Sequence, residues 1–524
     1  MGLIILPKKN EKNEIKKGDV TAVIDVGSNE TRLRIAQIKN GTMNFLESAS
    51  YPLSLGADTF THGRISFDKL EKVCGIIKNF ITLTKAYDVK ECRVVATTAV
   101  RESTNRDYIL DQIKIKTGVD VTVIDDSEEK LYVYKLMAYL ASPQIKESAL
   151  MVYTGSGNVG LSVWEHGQSA YADSIRIGSL RVSELFGDIQ DRTAHFYSIV
   201  EDYLRSFIHI IDPDYPKNIK HFITSGQEIA MIAQLTGAKS ETPFTYIEIE
   251  KLNELFEKIK PKTTNRIAQD YNLPLEQAEI LLPALCIYSN LVRLTSAKTI
   301  ITPRVFLPDA IMLEMLSPEK FLEIGKEFDK NTILCARVLA AKYRNMEAHS
   351  ALVEKFALKI FDKMKKLHGM GKRERLLLQS ASILHDIGKF INIKHHAKHS
   401  QEIIEGSEII GLSELEKKIT AQISRYHSTR NPSMSDLFYA ELKTDTRVLI
   451  SKLTAILKIA DSLDGSHEQK FGDIEIDFSD AECIITISTD KNIDLEIFSF
   501  NEKRVLFQEV FGIKAVVKKK RVGV

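Results

Sequence analysis

"VIDVGSNETRLRI" (residues 23–35) runs an apolar segment into Asp25, turns through Gly27, Ser28 and Asn29, and resumes with apolar residues at alternate positions. A buried strand that ends in a carboxylate and a small polar turn, then starts again, reads as a β-hairpin whose turn faces something small and charged. "SALMVYTGSGNVGLSVWEHGQ" (148–168) repeats the order of strand, Gly-rich turn and strand. Glycine in such turns permits positive φ and lets backbone N–H groups approach a ligand. Two such hairpins point to an internal duplication, with two α/β lobes that each open on a hairpin.

The segments around these hairpins fill in the lobes. "VTAVIDVG" (20–27), "TRLRIAQI" (31–38) and "TMNFLESASY" (42–51) read as consecutive strands. "FDKLEKVCGIIKNFITLTKAY" (67–87) spaces Leu70, Val73, Ile76, Ile77, Phe80 and Ile81 as one helix face. "ECRVVATTAV" (91–100) reads as a buried strand, "TNRDYILDQIKIKTG" (104–118) as a helix stopped by Gly118, and "VDVTVID" (119–125) as another strand. From about residue 325 amphipathic helices take over, as in "HSALVEKFALKIFDKMKKL" (349–367) and "ERLLLQSASILHDIGKF" (374–390). After 470 alternation returns in "DIEIDFSDAECIITIST" (473–489) and "NIDLEIFSF" (492–500), a small terminal β region. The expected organisation is a flexible basic leader (1–18), lobe I (19–140), and lobe II (141–322, its end returning to lobe I). A helical domain (325–470) and a terminal β region with a basic tail (471–524) follow.

The bulk numbers exclude several classes. A chain of 524 residues with 44% apolar residues has material for two to four packed domains. Its formal charge of +1 argues against nucleic acid held by bulk charge. No apolar run approaches the ~20 residues of a membrane span, and "LIIL" (3–6) is too short for a signal-peptide core. Cys74, Cys92, Cys286, Cys335 and Cys483 form no CxxC pair, so a reducing cytoplasm is the expected setting.

Two constellations carry chemistry. In the first, Asp25, Gly27, Ser28, Asn29 and Arg32 form one rim of an anion site, with turn amides cradling phosphate oxygens and Arg32 adding charge-assisted bonds. Thr97, Thr98 and Arg101 follow a buried strand and supply a second hydroxyl-plus-arginine set, and Gly155, Gly157 and Asn158 belong to the second turn. "DVGSNETRLRI" (25–35), "VVATTAVRESTN" (94–105) and "SIRIGSLRVSELF" (174–186) resemble, in order and spacing, the exopolyphosphatase/guanosine pentaphosphate phosphohydrolase (Ppx/GppA) family. The resemblance runs from about 20 to about 510. It implies an α/β, two-lobed actin-like ATPase (ribonuclease H-like) fold around a cleft for polyphosphate or guanosine pentaphosphate, with a divalent metal, magnesium or manganese. It also implies that Glu129, in "SEEKLYVY" (127–134), is the catalytic carboxylate that orients or deprotonates water, and it allows a homodimer.

The sequence departs from that family at the second turn. A loop resembling Asp-x-Gly-Gly-Gly-Ser-Thr-Glu reads here "YTGSGNVG" (153–160), with Tyr153 in place of the Asp and Gly160 in place of the Glu. "TSGQE" (224–228) keeps Gly226 of a Gly-Gly-Thr-like turn, and Pro308-Asp309 stands for an Arg-Glu pair. Carboxylate oxygens suit magnesium, and a phenol and a hydrogen do not replace them. The expectation is a cleft that binds phosphate and hydrolyses it poorly.

In the second constellation, His349, His385-Asp386 and Asp461 follow the order His…His-Asp…Asp, with His396, His399 and His427 as candidates for a second metal or the substrate. This resembles the HD-domain phosphohydrolases and the C-terminal extension of longer exopolyphosphatase relatives. Neutral imidazoles and carboxylates suit a first-row divalent cation, which activates water and polarises a phosphoryl oxygen. His385 and Asp386, ~100° apart on a helix, would meet one ion, and Lys389 would pair with phosphate as a catalytic group. The leading expectation is a cytoplasmic phosphohydrolase acting on polyphosphate or guanosine polyphosphate, with an all-α HD domain whose metal centre is intact. It touches neither membrane nor nucleic acid. The alternative is a polyphosphate or nucleotide sensor without cleft chemistry.

Overall fold

The computed structural model describes residues 4–5, 20–39, 42–155, 158–175, 177–190, 196–208, 218–241, 243–479 and 481–520. Gly157 of the second turn, residues 521–524, and the basic leader apart from Ile4 and Ile5 lie outside the described residues. The chain divides into two compact units, Met1–Phe328 and Asp329–Val524.

The first unit holds two sheets. One contains β1 (Ile4–Ile5), β2 (Val20–Val26), β3 (Glu30–Lys39), β4 (Thr42–Pro52), β5 (Glu91–Ala96) and β6 (Thr122–Val123), in the order β1-β4-β3-β2-β5-β6. The other contains β7 (Ser148–Thr154), β8 (Val159–Glu165), β9 (Gln168–Ile175), β10 (His221–Ser225), β11 (Lys239–Glu241), β12 (Phe244–Glu248) and β13 (Thr299–Thr302). Its order is β11-β12-β13-β10-β7-β8-β9.

The duplication is visible in the pairing. β2 and β7 each lead an antiparallel hairpin, to β3 and β8, and each pairs in parallel on its other side, with β5 and β10. Gly27 N–H donates to the Glu30 carbonyl at 3.0 Å, and Gly155 N–H to the Asn158 carbonyl at 2.9 Å, so the two turns close identically. β2 and β7 are buried along most of their length because both sheet faces are covered, which is why they read as continuous apolar runs.

Helix Phe67–Ala86 buries Leu70, Val73, Cys74, Ile76, Ile77 and Phe80 against the first sheet, as its spacing predicts. Helix Arg106–Thr117 ends at Gly118, whose φ of +74° is left-handed. Helix Leu275–Val292 is buried from Ile280 through Val292 and forms the centre of the second core. Helix Leu307–Leu316 packs back on β2 and β3.

Two strand expectations need correction. The run 91–100 is strand only to Ala96; Thr98–Glu102 is a short helix, so Thr98 and Arg101 sit on a helical turn. The strand in 119–125 is only Thr122–Val123.

The second unit is helical, built on Glu347–Lys363, Lys372–Leu384, His396–Gly406, Glu414–Tyr426 and Thr444–Ser462. A terminal element follows: β14 (Ile474–Phe478), β15 (Glu482–Ser488), helix Asp494–Phe511 and β16 (Lys514–Lys520). β14 pairs antiparallel with β15, and β16 pairs in parallel with β15 after the helical crossover. "NIDLEIFSF" is therefore mainly the start of a helix rather than a strand. Lys518, Lys519 and Lys520 lie in β16, at the edge of this sheet, and not in a tail.

Candidate functional sites

In the first unit, Asp25, Gly27, Ser28, Asn29, Arg32, Thr97, Thr98, Glu129, Tyr153, Thr154, Gly155, Gly226, Gln227 and Glu228 line a narrow recess of about 60 Å³, with Phe306 and Leu307 at its side. Hairpin register explains the meeting of these residues. Asp25 lies across from Arg32 on β2–β3, and Tyr153 across from Gly160 on β7–β8. Each first-named residue precedes its turn glycine by two positions.

Polar partners inside the recess are largely committed to one another. Tyr153 donates its phenol proton to Glu129 Oε1 at 2.8 Å. Arg101 lies 3.5 Å from Glu129 Oε2, donates to Thr98 Oγ1 at 2.9 Å and to the Ile124 carbonyl at 2.8 Å, and lies 3.6 Å from Asp126. Arg32 pairs with Glu30 and stacks 4.0 Å above the Phe306 ring. Asn158 donates to Asp126 Oδ1 at 2.8 Å. The amides of Gly27 and Gly155 donate to carbonyls of their own turns. Arg101 braces Glu129 instead of pointing free. A Cβ at Gly160 would stand 2.6 Å from the Tyr134 hydroxyl, so no side chain fits there without displacing Tyr134.

The electrostatics follow from burial. Burial, reinforced by Glu129, pushes Asp25 up to about 7 against the pull of Arg32. Burial also raises Glu129, although Arg101 opposes it, and raises Glu228. Burial and Glu129 together push the Tyr153 phenol well up. Asp126 is held low, because Lys130 and Arg101 outweigh its burial. Among the described residues, the lining carries three carboxyl groups, Asp25, Glu129 and Glu228, and the guanidinium of Arg32.

The second unit brings His349, His385, Asp386 and Asp461 together. His349 Nε2 lies 3.3 Å from Asp461 Oδ1, 3.3 Å from His385 Nε2 and 3.6 Å from Asp386 Oδ2. His385 Nε2 lies 3.5 Å from Asp461 Oδ1 and 3.6 Å from Asp386 Oδ2. The other carboxylate oxygen, Asp386 Oδ1, lies 3.5 Å from both His396 Nε2 and His427 Nε2, which are 3.2 Å apart. The donor sets His349–His385–Asp386 and Asp386–His396–His427 each have the proximity a metal ion requires. His399 is not part of either; its Nδ1 bonds Glu402 at 2.9 Å.

Local structure aims these rings. Helix Lys372–Leu384 stops before His385, so His385 and Asp386 are not one helical turn as expected. The turn after Leu384 still points both inward. His385, His396 and His427 place Nδ1 on the carbonyls of Ser382, Ile393 and Ser424, three residues back in each case. His349 Nδ1 meets Asp464 Oδ2 at 2.8 Å, and the His467 ring packs against His349, tilted by 33°, with centroids 3.7 Å apart. With each Nδ1 anchored outward, all four Nε2 atoms face the cluster, the tautomer metal ligation needs.

The carboxylates draw positive charge. Lys389 lies 2.5 Å from Asp386 Oδ2, and Lys503 bonds Asp461 Oδ2. His349 is held up at about 9, its burial outweighed by Asp461 and Asp464. Burial drives His427 down to about 4. Asp386 and Asp461 are held well below the usual carboxylate range, because neighbouring cationic and imidazole groups outweigh burial. Sequence reasoning gave no role to Tyr134, Lys130, Glu228, His467, Lys458 or Lys503. Asp464, one helical turn past Asp461, carried a readable signal, whereas Lys503 enters from 42 residues away.

A family model described as "Ppx/GppA phosphatase family" matches residues 34–319, and one described as "Ppx/GppA phosphatase, domain III" matches 334–506. The chain is similar to the guanosine-5'-triphosphate,3'-diphosphate pyrophosphatase of Photobacterium profundum, with 20% identity over 457 residues, 85% of this chain and 88% of that protein. The protein of the same description from Aeromonas salmonicida is 21% identical over 412 residues, 77% of this chain and 79% of its own length. An exopolyphosphatase structure from Cytophaga hutchinsonii aligns with a TM-score of 0.52 at 20% identity, covering 57% of this chain and 98% of that one. That likeness shows the fold. No helix among the described residues is long and apolar enough to cross a membrane.

Proposed function

This chain belongs to the Ppx/GppA phosphatase family, and on that premise we propose that it is a metal-dependent phosphohydrolase whose chemistry sits in the second unit. The substrate is polyphosphate, a guanosine polyphosphate or a related phosphoanhydride. The second unit acts as an HD domain, and the cleft of the first unit binds anions with its own hydrolytic loop degenerate. One observation carries the reading: four inward Nε2 atoms and both oxygens of Asp386 converge, while every Nδ1 is anchored outward.

The residues fit divalent metal. His349, His385, Asp386 and Asp461 would hold one ion, and His396 and His427, with Asp386 shared, a second. Manganese or magnesium bound there would lower the pKa of a bound water and polarise a phosphoryl oxygen. Asp464 fixes the His349 ring, and Lys389 offers an ammonium to a phosphoryl oxygen near Asp386. The five free cysteines suit a reducing cytoplasm.

The test is phosphate release from polyphosphate and guanosine pentaphosphate by the full chain with manganese, magnesium or chelator. Activity that chelator and Asp386→Ala abolish, and Glu129→Gln leaves in place, supports the reading. Absence of turnover with metal bound refutes it. The Tyr153 bond to Glu129 favours a second reading, a sensor of phosphate ligands, which predicts tight binding of guanosine tetraphosphate or polyphosphate without hydrolysis.

A further inference from the structure

Lys458 precedes Asp461 by three residues on helix Thr444–Ser462, so both side chains lie on one face. Lys458 is 3% exposed. Its ammonium donates to Asn431 Oδ1 at 2.6 Å, and among the described residues no carboxylate comes within ion-pair distance. Burial, then the neighbouring Lys503, push it down to about 8, with only Asp461 pulling the other way. Lys503 arrives from helix Asp494–Phe511 of the terminal element and bonds the outer oxygen of Asp461.

Lys458 lies one helical turn before Asp461 and Lys503 bonds Asp461 directly, so both lysines belong to the Asp461 edge of the cluster, with one direct carboxylate partner between them. An enclosed ammonium without a counter-charge is costly; Lys458 has none in direct contact, and an Asp461 that also serves a metal ion offers Lys503 less negative charge. Lys389 already supplies the cation at the Asp386 edge. Two further positive charges match what a neighbouring phosphoryl group adds to the first.

We propose that Lys458 and Lys503 form an anion subsite that receives the second phosphoryl group of a phosphoanhydride, making the centre select pyrophosphoryl compounds over single phosphates. The inference rests on the phosphohydrolase reading above and assigns it a specificity device. The terminal β element then takes part in substrate recognition through Lys503.

Calorimetric titration of the manganese-loaded full chain with imidodiphosphate, a pyrophosphate mimic, and with orthophosphate tests it, with manganese per chain measured alongside. Lys458→Met and Lys503→Met should each weaken imidodiphosphate by about tenfold or more, as loss of a charge-assisted bond predicts, while orthophosphate changes less than about threefold. Asn431→Asp, which places a carboxylate on Lys458 and keeps the packing, should weaken imidodiphosphate likewise, and Lys503→Arg should retain it. Variants that bind imidodiphosphate as tightly as wild type, or that lose both ligands equally, overturn the subsite alone. Wild type that takes up no manganese, or holds it and binds neither ligand, overturns the phosphohydrolase reading and the subsite with it.

Discussion

Tyr153→Phe removes one oxygen and changes little else, and its cost can be worked from the recess. The phenol donates to Glu129 Oε1 at 2.8 Å, and the nearest competing donor to Glu129, Arg101, stands 3.5 Å from the other oxygen. Both side chains are largely enclosed, so water replaces the lost donor poorly. A hydrogen bond to a charged group is worth about 2 kcal/mol, roughly a thirtyfold change in the folding equilibrium. The cost depends on pH. Burial already raises Glu129, so the folded state favours its acid, and the stability that proton contributes is lost as pH rises through the folded pKa. The phenol stabilises only the carboxylate, so Tyr153→Phe should cost most at pH 8 and least near pH 4. The assay is urea unfolding followed by tryptophan fluorescence. The chain has one tryptophan, Trp164, 2% exposed on β8 of the first unit, so the signal reports that unit alone. Glu129→Gln and the double variant complete a cycle whose coupling at pH 8 should exceed about 1 kcal/mol. A Tyr153→Phe transition within about 0.5 kcal/mol of wild type at pH 8, with no coupling, refutes the reasoning.

Three further outcomes are expected. Elemental analysis should find about two manganese ions per wild-type chain, about one in His396→Ala and almost none in Asp386→Ala, since Asp386 serves both donor sets; equal loss in both variants counts against a shared carboxylate. Gly160→Ala drives a Cβ to 2.6 Å from the Tyr134 hydroxyl and should destabilise the first unit by about 1–3 kcal/mol, most of it recovered by adding Tyr134→Phe. The Asp25 pKa is raised to about 7 from an ordinary 3.8, so the stability of its acid form is present at low pH and is lost as pH climbs through 7. Wild type should therefore weaken between pH 4 and 8 by up to roughly 4 kcal/mol more than Asp25→Asn, and parallel Trp164 curves would contradict this.

What the sequence revealed depended on how local the deciding contacts are. β2 and β7 were legible because burial on both faces makes an apolar run and each turn closes on itself. "NIDLEIFSF" misled because Ile493, Leu495 and Ile497 alternate, yet the buried set is Ile493, Glu496 and Phe500, a helical spacing, with Leu495 and Phe498 turned to solvent. The Thr98 helix was missed because Thr97, Thr98 and Val100 favour strands, and the turn after Ala96 overrides them. At the sites, His385-Asp386 was readable as a dipeptide, and His349 and Asp461 by their order. The phenol of Tyr153 on Glu129, the ring of His467 on His349 and the reach of Lys503 to Asp461 are meetings across the fold with no local pattern.

The last strand has a consequence beyond catalysis. Among the described residues β16 is the outermost strand of its three-stranded sheet, and its outer row of backbone groups faces no partner strand, a template onto which another polypeptide could add. Lys518, Lys519 and Lys520 line the end of that template with ammonium groups. A strand adding there in parallel from a second copy would bring these ammonium groups beside their own counterparts, and like charges set side by side disfavour that pairing.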